Sequence, residues 1–493
     1  MEGSLVNFGF LGVSKIFVHI LHLATLAFIT RRLGPELYGQ VSVFLMVTQF
    51  LYLLTGSWTG VGYMRYSVLY STQGKRVSEV FWGRSFLLFA FIFLVGLALV
   101  LGKNHLLRYL QLPSPIIVIV FLHFFSLIIA DYTRLFAQVA TEFKRLGVLQ
   151  LMEKGALFLL IWLWGESLFT ILVLYIVTAL GFEAYFFSTV SHSLYWPFRL
   201  NLSLCKKLLH FSYPLILTSA GGFIFGWADI VIIKHFLPLK EVGIYSLAYT
   251  GLGAIEAVVL LMPMVLTPIF VSLATQGEDH LTDRYILRVL PQISILWGFL
   301  IMFLALTSLW VIPIVFGQDF TESASIFLVL LITLNLSVIT GLCVPILVGY
   351  EMVTKMVLVN FSASIINLFL DIVFIPRIGI MGAALATTLS YGFITISYYE
   401  VVKRRFDFAP GRLVLFIGIV ALQIGGLLLC DSMLIRLTIT VIAAGMYLSG
   451  SKLLDIFGCE DKGIYASLEM PPLLKKAFIH ICDYYGQSRG CTR

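Results

Sequence analysis

The sequence predicts an all-α membrane protein that crosses the bilayer many times. Charged residues make up only 12% of its 493 residues and hydrophobic residues 59%, so most of its surface faces something other than water. The mean hydropathy is +0.97, and apolar runs of about 18 residues or more, each able to cross the bilayer as a helix, recur along the chain. Residues 86–101 are apolar on every side, which is typical of a buried helix and not of an alternating barrel strand.

The predicted helices follow these apolar runs in order. Each run holds about 20 residues, which at about 1.5 Å of rise per residue spans the hydrocarbon core. We predict about fourteen transmembrane helices, at residues 8–30, 39–61, 83–102, 115–137, 148–165, 167–189, 211–235, 242–270, 289–315, 323–349, 354–375, 379–400, 412–430 and 432–450. Together they occupy well over half of the chain, which leaves little of it for a soluble domain.

The distribution of basic residues predicts which side of the membrane each loop faces. The segments between the predicted spans alternate between the two sides of the membrane. Most of the 33 Lys and Arg residues fall on the same side as the N-terminus, among them Arg76, Arg84 and Lys403. Because basic residues accumulate in cytoplasmic loops, both termini are predicted to be cytoplasmic. These loops also account for the net charge of +7, so the charge gives no reason to expect nucleic acid as a partner.

The loops and motifs argue against several functions. The outer loops are short, the longest being about 103–114, so none could hold a catalytic domain. The sequence has no GxxxxGK[ST] motif for ATP, and no Ser/His/Asp or Cys/His arrangement stands out. The six cysteines include no CxxC pair and no metal-binding spacing. The sequence therefore predicts a protein that is not an enzyme, with no catalytic residues, no cofactor and no metal.

Two stretches of the chain resemble each other at an offset of 204 residues. Residues 26–44 match residues 230–248, so that Gly39 corresponds to Gly243. An even number of predicted spans separates the copies, so both cross in the same direction, as in transporters built from two parallel bundles. The alternative is that any two helix–loop–helix units share such a pattern. The repeat predicts one six-helix bundle at 1–200, a second at 201–405, an additional helix pair at 406–450 and a cytoplasmic tail at 451–493.

Four segments carry a resemblance to a known family. They are RRLGPELYGQVSVF (31–44), KKLLHFSYPLILTSAGGFIFGWADIVIIKHFLPLKEVGIYSLAY (206–249), VFGQDFTESASIFLVLLIT (315–333) and LVGYEMVTKMVLVNFSASIINLFLDIVFIPRIGIMGAALATTLSYG (347–392). In this order they resemble the Wzx-type polysaccharide flippases of the multidrug/oligosaccharidyl-lipid/polysaccharide superfamily. The last segment, with its IPRIGIMGAALAT turn into a helix, is the most specific, and the resemblance covers roughly residues 5–450.

The resemblance implies a flippase in a bacterial cytoplasmic membrane or its archaeal equivalent. Such proteins pass a polyprenyl-pyrophosphate-linked oligosaccharide from the cytoplasmic to the outer leaflet for O-antigen, capsule or exopolysaccharide synthesis, by alternating access of two bundles. Membrane lipids, a polysaccharide polymerase and glycosyltransferases are its implied partners. Three alternatives stay open: a cation-coupled multidrug exporter of the same superfamily, a membrane-embedded glycan polymerase or ligase, and a scaffold that recruits enzymes through the tail.

Four cations within or at the ends of predicted spans are candidates for binding an anionic cargo: Lys15, Arg134, Lys154 and Lys234. A charge in the hydrocarbon zone is expensive, so it usually faces a bundle interior or a water-filled cavity. Each also has a structural alternative. Lys154, near a predicted cytoplasmic boundary, and Lys234, at an outer end, could snorkel to the interface. Arg134 follows Asp131 by three residues and could be its ion-pair partner, in which case changing both would leave no unpaired buried charge. Lys15 has no carboxylate one turn away and is the strongest candidate.

Four acidic residues within the spans are candidates for a coupling or a structural role: Asp131, Asp229, Glu256 and Asp371. Asp229 falls at an acidic position that recurs in the seventh span of the family it resembles. It could pair with a cation across the bundle, carry a proton or sodium, or fix packing. A multidrug exporter would be expected to place a carboxylate in the first span, where this chain has Lys15.

A topology reporter tests the predicted orientation of the C-terminus. An enzyme that is active only outside the cytoplasm, fused after Arg493, should give no signal, because the basic loops place this end inside. Activity is compared with the same fusion in the predicted outer loop at 103–114. A strong signal from the C-terminal fusion would contradict the orientation and would require an odd number of spans.

Overall fold

A computed structural model describes residues 2–111, 115–190, 194–407 and 411–454, and within these ranges every regular element is helical. The predicted tail at 451–493 lies outside the described residues from 455 onward. The helices are α1 (Glu2–Thr55), α2 (Gly60–Thr72), α3 (Val77–Leu101), α4 (Lys103–Leu110), α5 (Ile116–Val139), α6 (Phe143–Trp164), α7 (Leu168–Thr189), α8 (Leu202–Ser212), α9 (Leu215–Phe236), α10 (Leu239–Val259), α11 (Leu261–Gln276), α12 (Asp279–Arg284), α13 (Leu290–Phe316), α14 (Thr321–Gly349), α15 (Val353–Ile378), α16 (Ile380–Lys403), α17 (Gly411–Leu429) and α18 (Met433–Leu453).

The predicted polytopic architecture is confirmed. In the described part of the chain, 12 helical segments are long and apolar enough to cross a membrane. One of them, within α1, contains Gly34 at φ 70°, a backbone conformation that favours glycine. Pro35 follows directly and has no backbone N–H to donate to the helical hydrogen bonds of the preceding turn. This kink divides α1 into the first two predicted spans, and the shorter apolar stretch Leu413–Leu429 of α17 brings the total to about fourteen, as expected.

Four short helices lie where loops were predicted. They are α2, α4, α8 and α12, and none is long enough to cross the bilayer. In α8, Leu204, Cys205 and Leu208 are buried while Lys206 and Lys207 are exposed. This is the two-faced pattern of a helix that packs on its neighbours and turns its basic face outward.

The chain forms two compact units, each assembled from separate segments. Unit 1 consists of Met1–Val258, Ile312–Ile326 and Asn360–Thr387, and unit 2 of the described residues within Val259–Val311, Phe327–Val359 and Thr388–Arg493. In unit 1, α1 packs most extensively along α6, and α5 packs against α7. The division into bundles at residues 1–200 and 201–405 stays a prediction.

The two copies of the sequence repeat meet inside unit 1. The second half of α1 begins at Pro35 and α10 begins at Leu239, which are equivalent positions at the offset of 204. A Cβ on Gly39 would lie 2.1 Å from the Leu239 carbonyl oxygen, and a Cβ on Gly243 would lie 1.9 Å from the Pro35 carbonyl oxygen. Each copy thus contacts the other through the same positions, as in an isologous interface between identical subunits. Only glycine permits backbones to approach this closely.

Two adjacent arginines tie the ends of other helices to α1. Arg31 donates to the carbonyl oxygens of Ile314 and Val315 near the end of α13. Arg32 donates to the Ile161 and Trp162 carbonyls of α6, at 3.1 and 3.0 Å. The last carbonyls of a helix lack partners within the helix, and the guanidinium groups satisfy them while placing positive charge at the negative end of the helix dipole.

Within unit 2, a polar cluster joins α12 to the ends of α14 and α16. Arg405 forms a 3.1 Å ion pair with Asp279 and lies over the ring of Tyr350 at 4.4 Å, and Tyr350 shares a 2.8 Å hydrogen bond with Thr282. Elsewhere in the unit, Tyr447 of α18 packs so closely on α13 that a side chain at the facing glycine would collide with its hydroxyl group.

The glycine contact between α1 and α10 gives a test of the repeat. Gly39→Leu and Gly243→Leu should each lower the free energy of unfolding by about 1–3 kcal/mol, because each forces two backbones apart. Gly253→Leu on α10 is the matched control, since nothing lies within 4 Å of its Cβ position. Thermal unfolding of the purified protein is the measurement. If the Gly39 variant behaved like the Gly253 variant, the close contact would be refuted.

Candidate functional site

The first half of α1 carries a polar stripe that faces away from its most exposed apolar residues. Lys15, His19 and His22 follow each other at helical spacing and therefore share one face. Phe17 and Ile20, more than half exposed, lie on the opposite face. Lys15 is partly buried and, among the described residues, makes no hydrogen bond or ion pair. The side of α1 that would contact lipid is thus apolar, and its cation faces the interior of unit 1.

The stripe on α1 faces further charged groups on α6. Lys154 lies close enough to His22, and to the buried His123 of α5, to interact electrostatically with both. The sequence placed Lys154 near the end of a span, but α6 begins at Phe143 and Lys154 lies at its middle. It forms a 2.8 Å ion pair with the neighbouring Glu153. Lys154 is thus a paired cation inside the helix bundle and is too far from the helix end to snorkel easily.

Arg134 and Asp131 form an ion pair, which was the structural alternative for Arg134 in the sequence analysis, and a third residue joins them. Asp131 is buried, with its side chain 2% exposed, and accepts hydrogen bonds from Arg134 through one oxygen and from Arg84 through the other, the latter at 2.5 Å. Arg84 Nε also donates to the Thr59 hydroxyl at 2.8 Å, and its Nη2 contacts the Gly56 carbonyl at 3.3 Å. Two arginines therefore share one carboxylate.

The position of Arg84 corrects two expectations. The sequence counted it among the basic residues of a cytoplasmic segment, but it lies inside α3 and is 1% exposed. The expectation that changing Asp131 and Arg134 together leaves no unpaired buried charge is also wrong, because Arg84 would then lose its carboxylate. Its place within the predicted span at 83–102 was the available signal, although nothing in the sequence identified its partner.

A second polar site in unit 1 contains two aspartates. Asp229 of α9 and Asp371 of α15 are fully buried, and their carboxyl groups lie close enough to interact. Tyr245 of α10 and Thr387 of α16 both donate to Asp229 Oδ2, the second at 3.4 Å. Asn367 lies one turn before Asp371 on the same face of α15 and is also fully buried.

Several polar atoms of this second site lack a partner outside the aspartate pair. Apart from the hydrogen bond between the two carboxyl groups, Asp229 Oδ1, both oxygens of Asp371 and both polar atoms of the Asn367 amide are buried without a hydrogen-bond partner among the described residues. Two adjacent carboxylates cannot both remain charged in an apolar interior without compensation. The described residues contain no cluster of three His, Cys, Asp or Glu residues suited to a metal. The two carboxylates with nearby amide and hydroxyl oxygens instead suit a single proton or a hard monovalent cation.

The remaining candidates lie nearer helix ends. Lys234 is three residues from the end of α9 and partly buried, as expected for a residue able to snorkel. Glu256, also partly buried, is near the end of α10 and interacts electrostatically with Tyr249. Sequence reasoning missed Asn367, which its four-residue spacing from Asp371 could have revealed.

The fold resembles solved membrane transporters. The chain matches the lipid II flippase MurJ in an inward closed conformation with a TM-score of 0.70 and 15% identity, over 90% of this chain and 98% of that one. It matches a multidrug resistance MATE family transporter of the MOP superfamily in an inward-facing conformation with a TM-score of 0.58 and 14% identity, over 80% of this chain and 98% of that one. At these identities the likeness establishes the fold.

Sequence comparison adds a relative and a family. The chain is 26% identical over 217 residues to the probable low-salt glycan biosynthesis flippase Agl15 of Haloferax volcanii; the match spans 42% of this chain and 44% of that protein, less than half the length of each. The family model described as "Polysaccharide biosynthesis protein" matches residues 4–274, which is more than half of the 493 residues. The chain therefore belongs to the polysaccharide biosynthesis protein family.

Proposed function

We propose that this protein is a flippase that moves a polyprenyl-pyrophosphate-linked oligosaccharide from the cytoplasmic to the outer leaflet. The observation that carries the proposal is Lys15, a cation on the interior face of α1 with no partner among the described residues. Membership of the polysaccharide biosynthesis protein family and the transporter fold support it. The cargo would feed the synthesis of a cell-surface polysaccharide such as O-antigen, capsule or exopolysaccharide.

The charge of the cargo explains why cations are useful inside the membrane. A diphosphate is strongly hydrated, and its transfer into an apolar region is costly unless positive groups offset the lost water. Lys15 supplies a point charge, and Arg134 supplies a guanidinium group with several fixed donors. Lys154 and Lys234 are weaker candidates, because the first already has Glu153 as a partner and the second lies at a helix end.

The aspartate pair is proposed to couple transport to a cation. Ionisable groups buried within a membrane commonly carry protons or ions. Asp229 and Asp371 lie on helices separated by more than 100 residues of chain, so a cation bound between them would draw α9 and α15 together. Its release would allow the two helices to separate, which is the type of switch that alternating access requires.

The orientation and partners are part of the proposal. In this proposal the protein lies in the cytoplasmic membrane with both termini in the cytoplasm, and glycosyltransferases and a polysaccharide polymerase are the expected partners. The rival function is a cation-coupled multidrug exporter, a class whose fold this chain shares. A lysine on the interior face of the first span, with no ion-pair partner among the described residues, is electrostatically unsuited to a cationic drug, which favours the flippase.

Export of a lipid-linked glycan tests the proposed function. In a host that lacks its own flippase and makes the cognate glycan, the wild-type chain should restore export, because Lys15 offsets the charge of the diphosphate. Lys15→Arg should keep most of the transport and Lys15→Ala should reduce it at least about tenfold.

The matched control is Lys103→Ala, because Lys103 is an exposed lysine on the short helix α4. The measurement is glycan-lipid retained on the inner leaflet, normalised to protein in the membrane. Full export by Lys15→Ala would refute this role, and protection against organic cations without glycan export would favour the rival.

Cation binding by the aspartate pair is tested by thermal stability. Because a ligand that binds only the folded state stabilises it, sodium at about 100 times its Kd should add about 2.7 kcal/mol to the free energy of unfolding relative to choline. Asp371→Asn should abolish this sodium-dependent increase. Asp279→Asn is the matched control, since Asp279 is a half-exposed carboxylate of unit 2 that already has Arg405 as its ion-pair partner. Unfolding of the purified protein is followed in the two salts at constant ionic strength. An equal sodium effect in the wild type and the Asp371 variant would contradict a sodium site and leave the proton as the coupling ion.

A further inference from the structure

The buried arginine of α3 is not explained by the function proposed above. Arg84 is 1% exposed, and its guanidinium group is held by Asp131, the Thr59 hydroxyl and the Gly56 carbonyl. The guanidinium carbon also lies 4.5 Å from the ring centre of Tyr132. An arginine in a membrane helix is costly to bury. Here it links α3 to the end of the second span and to α5, and its position is fixed by contacts on several sides.

The charges in this cluster do not balance. Arg84 and Arg134 carry two positive charges, and Asp131 supplies the one carboxylate that contacts them. Arg84 Nη1 is buried without a hydrogen-bond partner. Arg134 has Asp131 as its single ion-pair partner within the described residues, and its side chain is 55% exposed. One guanidinium group is therefore anchored to a buried carboxylate while part of it stays open to a ligand.

The exposed side of Arg134 is not on the lipid-facing stripe of its helix. The exposed apolar residues of α5 are Val118, Leu122 and Phe125, which form one stripe at helical spacing. At about 100° of rotation per residue, Arg134 lies roughly 150° from the centre of that stripe. The three residues on either side of Arg134 are all buried. Arg134 is therefore exposed through a local opening in the packing, on the face of α5 turned away from the apolar stripe.

We propose that Arg84 is a positioning residue that fixes Asp131, so that Asp131 holds the Arg134 guanidinium group ready to bind a diphosphate on a lipid. The inference rests on the proposed function, which supplies the lipid-linked cargo and Arg134 as a binding group, and it adds the residue that orients that group. Arg84 is too deeply buried to touch the cargo itself. Arg84 and Arg134 hold the two Asp131 oxygens from different sides, so the carboxylate keeps one orientation. Because the fixed carboxylate already restricts Arg134, this side chain loses less entropy when it binds the diphosphate.

The chemistry of arginine explains why lysine would not serve at position 84. The guanidinium group donates through Nε and Nη2 in one plane, toward Thr59 and Asp131 respectively. The ammonium of lysine is a point charge with no fixed fork. Arg84→Lys would keep the charge beside Asp131 but lose the contact that fixes its direction.

Binding of inorganic pyrophosphate to the purified full chain tests the inference by calorimetry. Arg134→Gln should weaken binding at least about tenfold, because a charged donor is lost. Arg84→Gln should weaken it by a similar factor although it does not touch the ligand, and Arg84→Lys by less. The double variant Arg84→Gln with Arg134→Gln should bind no more weakly than Arg134→Gln alone, since both changes remove the same contact.

The matched control is Arg145→Gln, because Arg145 forms an ion pair with Glu142 at the same three-residue spacing, at 2.9 Å, and lies over the ring of Phe186. Its affinity for pyrophosphate should equal that of the wild type. Should Arg84→Gln fail to fold, Thr59→Val removes one of the acceptors that hold Arg84 and should weaken binding by a smaller factor. A polyprenyl diphosphate in detergent should displace pyrophosphate, and failure to do so would overturn the assignment to a lipid headgroup.

Two results would overturn the inference directly. One is a wild-type chain that binds no pyrophosphate. The other is a folded Arg84→Gln variant that unfolds at a lower temperature but keeps its affinity within about twofold, which would make Arg84 structural only. The proposed function is refuted by a different result. If the chain exports no glycan-lipid but binds pyrophosphate with the expected pattern, the flippase function is wrong and the anion site remains. Export that continues unchanged in Arg134→Gln would refute the site and leave the flippase in place.

Discussion

A charged group inside the hydrocarbon layer must be paired or hydrated, and this constraint organises unit 1. Asp131 is the clearest case, because its two oxygens are held by arginines from α3 and α5. Losing either arginine would leave a buried carboxylate partly unpaired, which is strongly destabilising in most proteins. The cluster of Arg84, Asp131 and Arg134 also joins the end of the second span to the third and fourth spans. Packing of apolar side chains alone would not fix the mutual rotation of these helices so narrowly.

The same constraint separates the two polar sites by chemistry. The Arg84–Asp131–Arg134 cluster has an excess of positive charge, whereas the Asp229–Asp371 pair has an excess of negative charge and several oxygens without partners. One suits an anion and the other a cation. In the proposed function, a diphosphate and a coupling cation are the corresponding ligands, and both sites lie within one compact unit of the chain. The family membership is compatible with this division of roles.

The glycine contact shows how a weak sequence repeat becomes a structural feature. Gly39 and Gly243 are separated by 204 residues, yet each lies against the first carbonyl of the other's helix. Helices in a membrane gain little from burying apolar surface, because lipid is equally apolar, so close backbone contact is a main source of their association. Two small residues at equivalent positions are therefore an efficient way to bring the ends of two repeats together.

The sequence by itself determined the features that depend on short stretches of chain. Composition and apolar run length predicted an all-helical membrane protein with about fourteen spans. The spacing of Asp131 and Arg134 offered an ion pair as one of two interpretations of Arg134, because helix geometry relates residues three apart. The repeat and the kinship with polysaccharide biosynthesis proteins were also visible.

Tertiary structure alone decided which distant residues meet. Arg84 was assigned to the cytoplasmic end of the predicted span at 83–102 until α3 was seen to begin at Val77 and Arg84 to contact Asp131, 47 residues further on. Lys154 was assigned to a cytoplasmic boundary until α6 placed it at mid-helix. Asp229 and Asp371 lie on separate helices, and nothing local to either residue reveals the other. Helical periodicity shows which face a residue occupies, but the partner of that face is set by packing between helices far apart in the chain.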